Sequence, residues 1–143
     1  MKIYGEYVKV ETRRGEDLVD ITDLVSEIVG RSGVSDGMVT IYTMHTTTGI
    51  VVNEGEEGLT KDIVRFLSKL VPENGEYMHH HFFREDGRMA VNAWAHLRSI
   101  LTGMHTSLPV SDRRIVIGMR QRVFLIDFDG PQARSIYVQV IGI

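Results

Sequence analysis

Histidine is the residue in this chain best placed to do chemistry. Five of the six histidines fall between positions 79 and 105, and the sixth, His45, opens the run Thr46-Thr47-Thr48-Gly49. Imidazole is the side chain that most often ligates transition metals, and its ordinary pKa of about 6.5 suits proton transfer. On a strand, His79 and His81 would share a face and His80 would point away from it. One such histidine reads as a solvated or hydrogen-bonded side chain. Three meeting in space would read as a site.

The threonines beside His45 carry two readings, which the sequence leaves open. One is a β-bulge or loop whose hydroxyls bond to their own backbone. The other is an anion or metal pocket in which Thr46 and Thr47 supply hydroxyl and amide donors. Further on, Glu54 stands beside Asn53 at the end of an apolar strand. Glu56 and Glu57 are accounted for by the helix that follows them, because acidic groups suit a helix N-terminus. The chain has no cysteine, so any metal must be held by His, Asp, Glu or water. Phosphate-loop, zinc-protease, nucleophile-elbow and dinucleotide motifs are all missing, and nothing places Ser, His and Asp as a triad.

These side chains need a scaffold, and 143 residues are enough for one domain, 1–143, with its own core. A net charge of −3 offers no broad basic surface, so nucleic acid is not an expected partner. Apolar runs of only a few residues rule out a helical membrane span. The opening residues do not read as a signal peptide, and the cytoplasm is the expected location.

Residues 3–12 alternate as a half-buried strand, with Tyr4, Val8 and Val10 on one face. Arg13 to Asp17 is a turn. A first helix is capped by Thr22, buries Leu24, Val25, Ile28 and Val29, and stops at Gly30. Met38 to Met44 and Ile50 to Glu54 are strands. Leu59, Ile63, Phe66, Leu67 and Leu70 recur at helical spacing, and Pro72 ends that second helix. Arg84 to Arg88 is a polar loop tip. Asn92 caps a third helix whose buried stripe is Ala93, Leu97, Ile100 and Leu101, with His96 on its border and Gly103 as the stop. Strands follow at Leu108–Val110, Ile115–Ile117, Val123–Phe128 and Ser135–Ile143, and Asp127 to Pro131 reads as a hairpin connection. Apolar groups on both faces of the last strand point to a central strand or one covered by another subunit. The fold class is α+β, a mainly antiparallel sheet with helices on one side.

In order and spacing, several short pieces resemble the YjbQ-like family, to which secondary thiamine-phosphate synthesis is ascribed. They are His45-Thr46-Thr47, Asn53-Glu54, Val71 through His79, Ala95-His96-Leu97-Arg98, Gly103 with Leu108-Pro109-Val110, and Gly118 with Gln121. Together they span nearly the whole chain. The resemblance implies an α+β subunit that forms a homotrimer, packing sheets about a threefold axis. It also implies a small site in which His45, His79 and His96 match the family's histidines, and Asn53 and Glu54 its Asn-Glu pair. His80, His81 and His105 are then extras. Where the family has Gly-Thr-Trp-Gln-Gly, this chain has Gly118-Met119-Arg120-Gln121-Arg122, which makes Arg120 and Gln121 candidate anion contacts.

Joining a pyrimidine diphosphate to a thiazole phosphate normally asks for Mg²⁺, an ion that prefers oxygen ligands. Three neutral imidazoles instead favour Zn²⁺ or a neighbouring transition ion with an open position. The expectation is therefore a metal-assisted enzyme acting on a small phosphorylated or otherwise anionic substrate. His45, His79 and His96 would hold the ion, Glu54 and Asn53 would be catalytic, and Thr46, Thr47, Arg120 and Gln121 would bind substrate. The alternative is a non-catalytic trimer that binds a metal or ligand.

Overall fold

Period-two alternation produces the two longest strands, β1 (Lys2–Glu11) and β8 (Ala133–Gly142), which pair antiparallel along their full length. Val8 and Val10 face the core with Ile136, Val138 and Val140. Tyr7 and Tyr137 meet on the outer face, ring centroids 4.7 Å apart. On the other side of β8 lies β3 (Gly37–Thr43), followed by β5 (His105–Ser111) and the short β6 (Arg114–Ile115). A second sheet has the order β2 (Asp17–Asp20), β7 (Gln121–Asp127), β4 (Thr48–Glu54). Every strand pair is antiparallel. The computed structural model describes residues 1–82, 87 and 90–143, so most of the expected Arg84–Arg88 loop tip lies outside the described residues.

The sheets pack face to face, and α1 (Thr22–Ser32) adds Val25, Ile28 and Val29 to the core between them. Full burial of each such side chain contributes about 1.5–3 kcal/mol. The opposite face of the three-stranded sheet carries a second core. There Leu67 of α2 (Glu57–Leu70) and Ala95 of α3 (Ala93–Thr102) pack with Ile126 and Phe128. Thus α2 and α3 share one side, as expected, whereas α1 belongs to the inter-sheet core.

The local structure departs from the expected pattern in several places. β2 stands just after the expected turn and was not anticipated. Ile21 rather than Thr22 is the N-cap of the first helix, with Asp20 Oδ1 accepting the Thr22 N–H at 3.0 Å, and left-handed Gly33 rather than Gly30 ends it. The histidine triplet is a 3₁₀ turn, Met78–His81, not a strand. Asp127 to Pro131 is not a hairpin, because β7 and β8 lie in different sheets. Finally, α3 buries Ala93, Ala95, Arg98 and Ser99 while exposing Leu97, Ile100 and Leu101. Ala95 and Ser99 are small where they face the sheet because the helix lies close on β4, and Arg98 is buried against the Val71 carbonyl and Glu16. A Cβ on Gly49 would fall 2.0 Å from Thr102 Oγ1, and Ser99 Oγ donates to the Thr48 carbonyl at 2.5 Å.

Two of the connections between the sheets are residues 44–47, from β3 to β4, and residues 128–132, from β7 to β8. They run side by side, with the Phe128 N–H donating to the Thr47 carbonyl at 3.0 Å and the Met44 N–H to the Ser135 carbonyl at 3.1 Å. The polar break at His45–Thr47 is therefore a sheet-to-sheet crossover.

Candidate functional site

The two crossovers, the 3₁₀ turn and the start of α3 enclose a cavity of roughly 400 Å³. Its floor is an ion pair. Arg134 donates from Nε to Asp127 Oδ2 at 2.8 Å and from Nη2 to Oδ1 at 2.6 Å, and both residues are buried. Asp127 also accepts from Thr12 Oγ1 and the Asp129 N–H. Nη2 of Arg134 reaches Thr47 Oγ1 at 2.9 Å. Nη1 has no partner among the described residues, and Arg134 lines the cavity.

The walls carry a hydrogen-bonded chain. Asn92 Nδ2 donates to Asp129 Oδ2 at 2.9 Å, and Asn92 Oδ1 lies 3.1 Å from His79 Nε2. A carboxylate only accepts, so it fixes which way the amide points. The amide oxygen in turn requires the proton of His79 on Nε2, leaving the lone pair of the neutral ring on Nδ1. His96 faces His79 edge to face, ring centroids 5.0 Å apart. Burial lowers the His96 pKa below the usual histidine value, and neighbouring His79 pushes the same way; Asp129 and the Thr46 backbone oppose them.

His45 is turned elsewhere. Its Nε2 accepts the Ser135 N–H at 2.9 Å, anchoring the first crossover to β8. Burial lowers its pKa, with Arg134 and Lys9 adding to the effect and Asp127 opposing it. Among the described residues, no three His, Asp or Glu side chains are grouped closely enough to hold a metal ion. The cavity brings together His79 and His96, not the full histidine trio, and a cationic guanidinium shares it. Among the described residues these donors do not by themselves make up a metal site.

The other expected residues divide between two places. Thr46 and Thr47 line the cavity with the histidines. Asn53 and Glu54 pair with Arg122 and Gln121 at the far end of β4 and β7, six residues from the Thr48–Asp127 pair, or about 20 Å along the strands. There Gln121 Oε1 accepts the Gly118 N–H at 2.8 Å, and Arg120 is exposed on the adjoining turn. Arg122 ties down the start of α1 through Asp20 at 2.7 Å. His80, an extra in the sequence comparison, accepts the Ala93 N–H at 3.2 Å and so caps α3. That leaves Asn92, the expected cap, free for His79 and Asp129. Sequence reasoning missed Asn92, Asp127, Asp129 and Arg134. The available signal was the pair of opposite charges at the ends of two otherwise apolar strands, either side of Gly130-Pro131.

The two-sheet α+β architecture is shared with solved structures. The chain belongs to the UPF0047 protein YjbQ-like family, whose model matches residues 6–143. It is 39% identical over 132 residues to a UPF0047 protein of Archaeoglobus fulgidus, covering 92% of this chain and 97% of that one. Against the UPF0047 protein YugU of Bacillus subtilis, identity is 29% over 136 residues, covering 94% and 97%. A YbjQ-like protein of unknown function from Sulfolobus solfataricus superposes with a TM-score of 0.92 at 35% identity, covering 99% of both chains. A hypothetical protein from Aeropyrum pernix K1 does so with a TM-score of 0.89 at 31% identity, covering 98% and 99%. No described helix is long and apolar enough to cross a membrane.

Proposed function

We propose that this protein is an enzyme acting on a small phosphorylated or otherwise anionic substrate, with His79 and His96 as its acid–base pair. The observation that carries this reading is the cavity itself: two facing imidazoles, one held in a defined tautomer, above a buried arginine. Thr46, Thr47 and Arg134 supply donors of the kind that bind phosphate oxygens. Charge decides when they bind. Among the described residues Arg134 is matched by Asp127, and Asp129 adds a second carboxylate to the cavity while both imidazoles are neutral. Anion binding therefore draws a proton onto His79 or His96. The resulting imidazolium is the acid that can protonate a departing phosphate or pyrophosphate oxygen, while the neutral partner accepts a proton. Thiamine-phosphate formation, which expels pyrophosphate, belongs to this class of reaction.

A divalent ion is the second reading, favoured by the 5.0 Å separation of the His79 and His96 rings. Zn²⁺ suits imidazole and Mg²⁺ a diphosphate, but the remaining ligands would have to come from outside this chain. A homotrimer, also proposed, has a surface to use: the outer face of the five-stranded sheet exposes Ile3, Tyr7, Met38 and Tyr42. A non-catalytic trimer is the opposing reading. Turnover assays on thiamine-phosphate formation, then on phosphoester hydrolysis, distinguish them. His96→Ala should lower the rate by about 10²–10⁴-fold, with metal content measured alongside. Equal rates in wild type and variant would leave only binding.

A further inference from the structure

We infer that the substrate is amphipathic, with an apolar group the size of a ring or short chain seated in a groove next to the anion cavity. The inference rests on the anionic-substrate reading and adds the other half of the molecule. A second cavity, of about 350 Å³, adjoins the first and is lined by Tyr77, Met78, Ala93 and Leu97 together with His79 and His96. The same two imidazoles line both spaces. On one side of them are Arg134 and the threonines. On the other, carbon predominates, because the Tyr77 hydroxyl is turned away to donate to the Pro72 carbonyl at 2.5 Å.

The groove explains an otherwise costly arrangement. Leu97 and Met78 are exposed beside each other's elements instead of joining the core, and apolar side chains around a concavity are what a ligand's apolar part requires. A ligand anchored by its anion on Arg134 has one continuous path outward, past the histidine pair and into this groove. The bond linking its anionic and apolar parts then lies at His79 and His96. Leu97 and Met78 thus become specificity-determining residues, while the anion contacts are common to all substrates.

The experiment is calorimetric titration of the full chain with inorganic phosphate, methyl phosphate and phenyl phosphate at one pH and salt concentration. Phenyl phosphate should bind at least about tenfold tighter than methyl phosphate, since partial burial of a ring is enough for one decade of affinity. In Leu97→Asp that ratio should fall to about one. Ile100→Asp, at a more exposed position on α3 outside the groove, should keep it, and Met78→Asp provides an independent disruption. If phosphate binds but the phenyl group adds nothing, or if its advantage survives both Leu97→Asp and Met78→Asp, the groove inference is overturned and the anion site stands. If none of the three ligands binds, the anion reading fails, and the groove inference with it.

Discussion

Asn92 holds His79 by a 3.1 Å hydrogen bond although it sits at the N-cap of α3, where its side chain would ordinarily serve the helix. His80 makes that diversion possible by accepting the Ala93 N–H. Neighbouring histidines thus divide two tasks, one capping the helix and the other facing the cavity. Asn92→Ala should release the His79 tautomer while the helix keeps its cap. The ring ¹⁵N shifts of His79 should move from a predominantly Nε2–H form to a mixture, with unfolding free energy lowered by no more than about 1 kcal/mol. An unchanged tautomer would show that Asn92 does not set it.

The Arg134–Asp127 pair is buried on both sides, so its parts are not interchangeable with neutral groups. Asp127→Ala strands a guanidinium away from water and should destabilise the fold by about 3–5 kcal/mol. Urea unfolding measures this directly. A loss below about 1 kcal/mol would mean that Arg134 is solvated and does not form the cavity floor.

Acid should weaken the protein in a defined window. His45 and His96 both have folded pKa values below the ordinary 6.5. As pH falls past about 6.5 the unfolded chain therefore binds protons first. Stability is fully present above that value and is lost as pH falls toward the folded values. Urea midpoints measured between pH 7.5 and 5 should decline, and His45→Gln should flatten the decline. A midpoint that rises on acidification would reverse the sign and refute the assignment.

Much of the scaffold is legible in the sequence. Alternation locates β1, β3 and β8, and helical spacing locates α2, because each reports a local period. What the sequence could not reveal depends on where elements go. The four residues of β2 contain only Leu18 and Val19 as apolar groups, too few for a period. The α3 pattern correctly marks Leu97, Ile100 and Leu101 as an apolar face, but periodicity does not say that the face is covered within one chain. Asp127 and Asp129 read as turn chemistry, and Arg134 carried no signal of its own, because nothing local shows that β7 and β8 belong to different sheets. Residue type singled out Thr46, Thr47, His79 and His96, and the fold brings these four to one cavity. Glu54 and Gln121 share a strand register with each other, but not an end of the sheet with the histidines.

That separation yields a prediction. Chemistry confined to the cavity of one chain leaves turnover in Glu54→Gln within about twofold of wild type. A fall of 10²–10⁴-fold, the scale of a lost acid–base group, would mean that a neighbouring subunit delivers Glu54 to the site.

Assembly has its own test. Sedimentation at micromolar concentration should give three times the 16.2 kDa chain mass. Tyr7→Glu, on the outer face of the five-stranded sheet where Tyr7 is 74% exposed, should give monomers with unchanged secondary structure. A wild-type monomer would remove the trimer from the account.

The most direct measurement of the central claim is calorimetric titration with inorganic phosphate in two buffers of different ionisation enthalpy, coupled to mapping of the site by ¹⁵N-resolved NMR. The expected result is net proton uptake on binding, affinity that strengthens as pH falls through the histidine range, and shifts concentrated at Thr46, His79, His96 and the Arg134 guanidinium. Binding without proton uptake, or shifts centred on Asn53, Glu54 and Gln121 at the opposite end of the sheet, would contradict it.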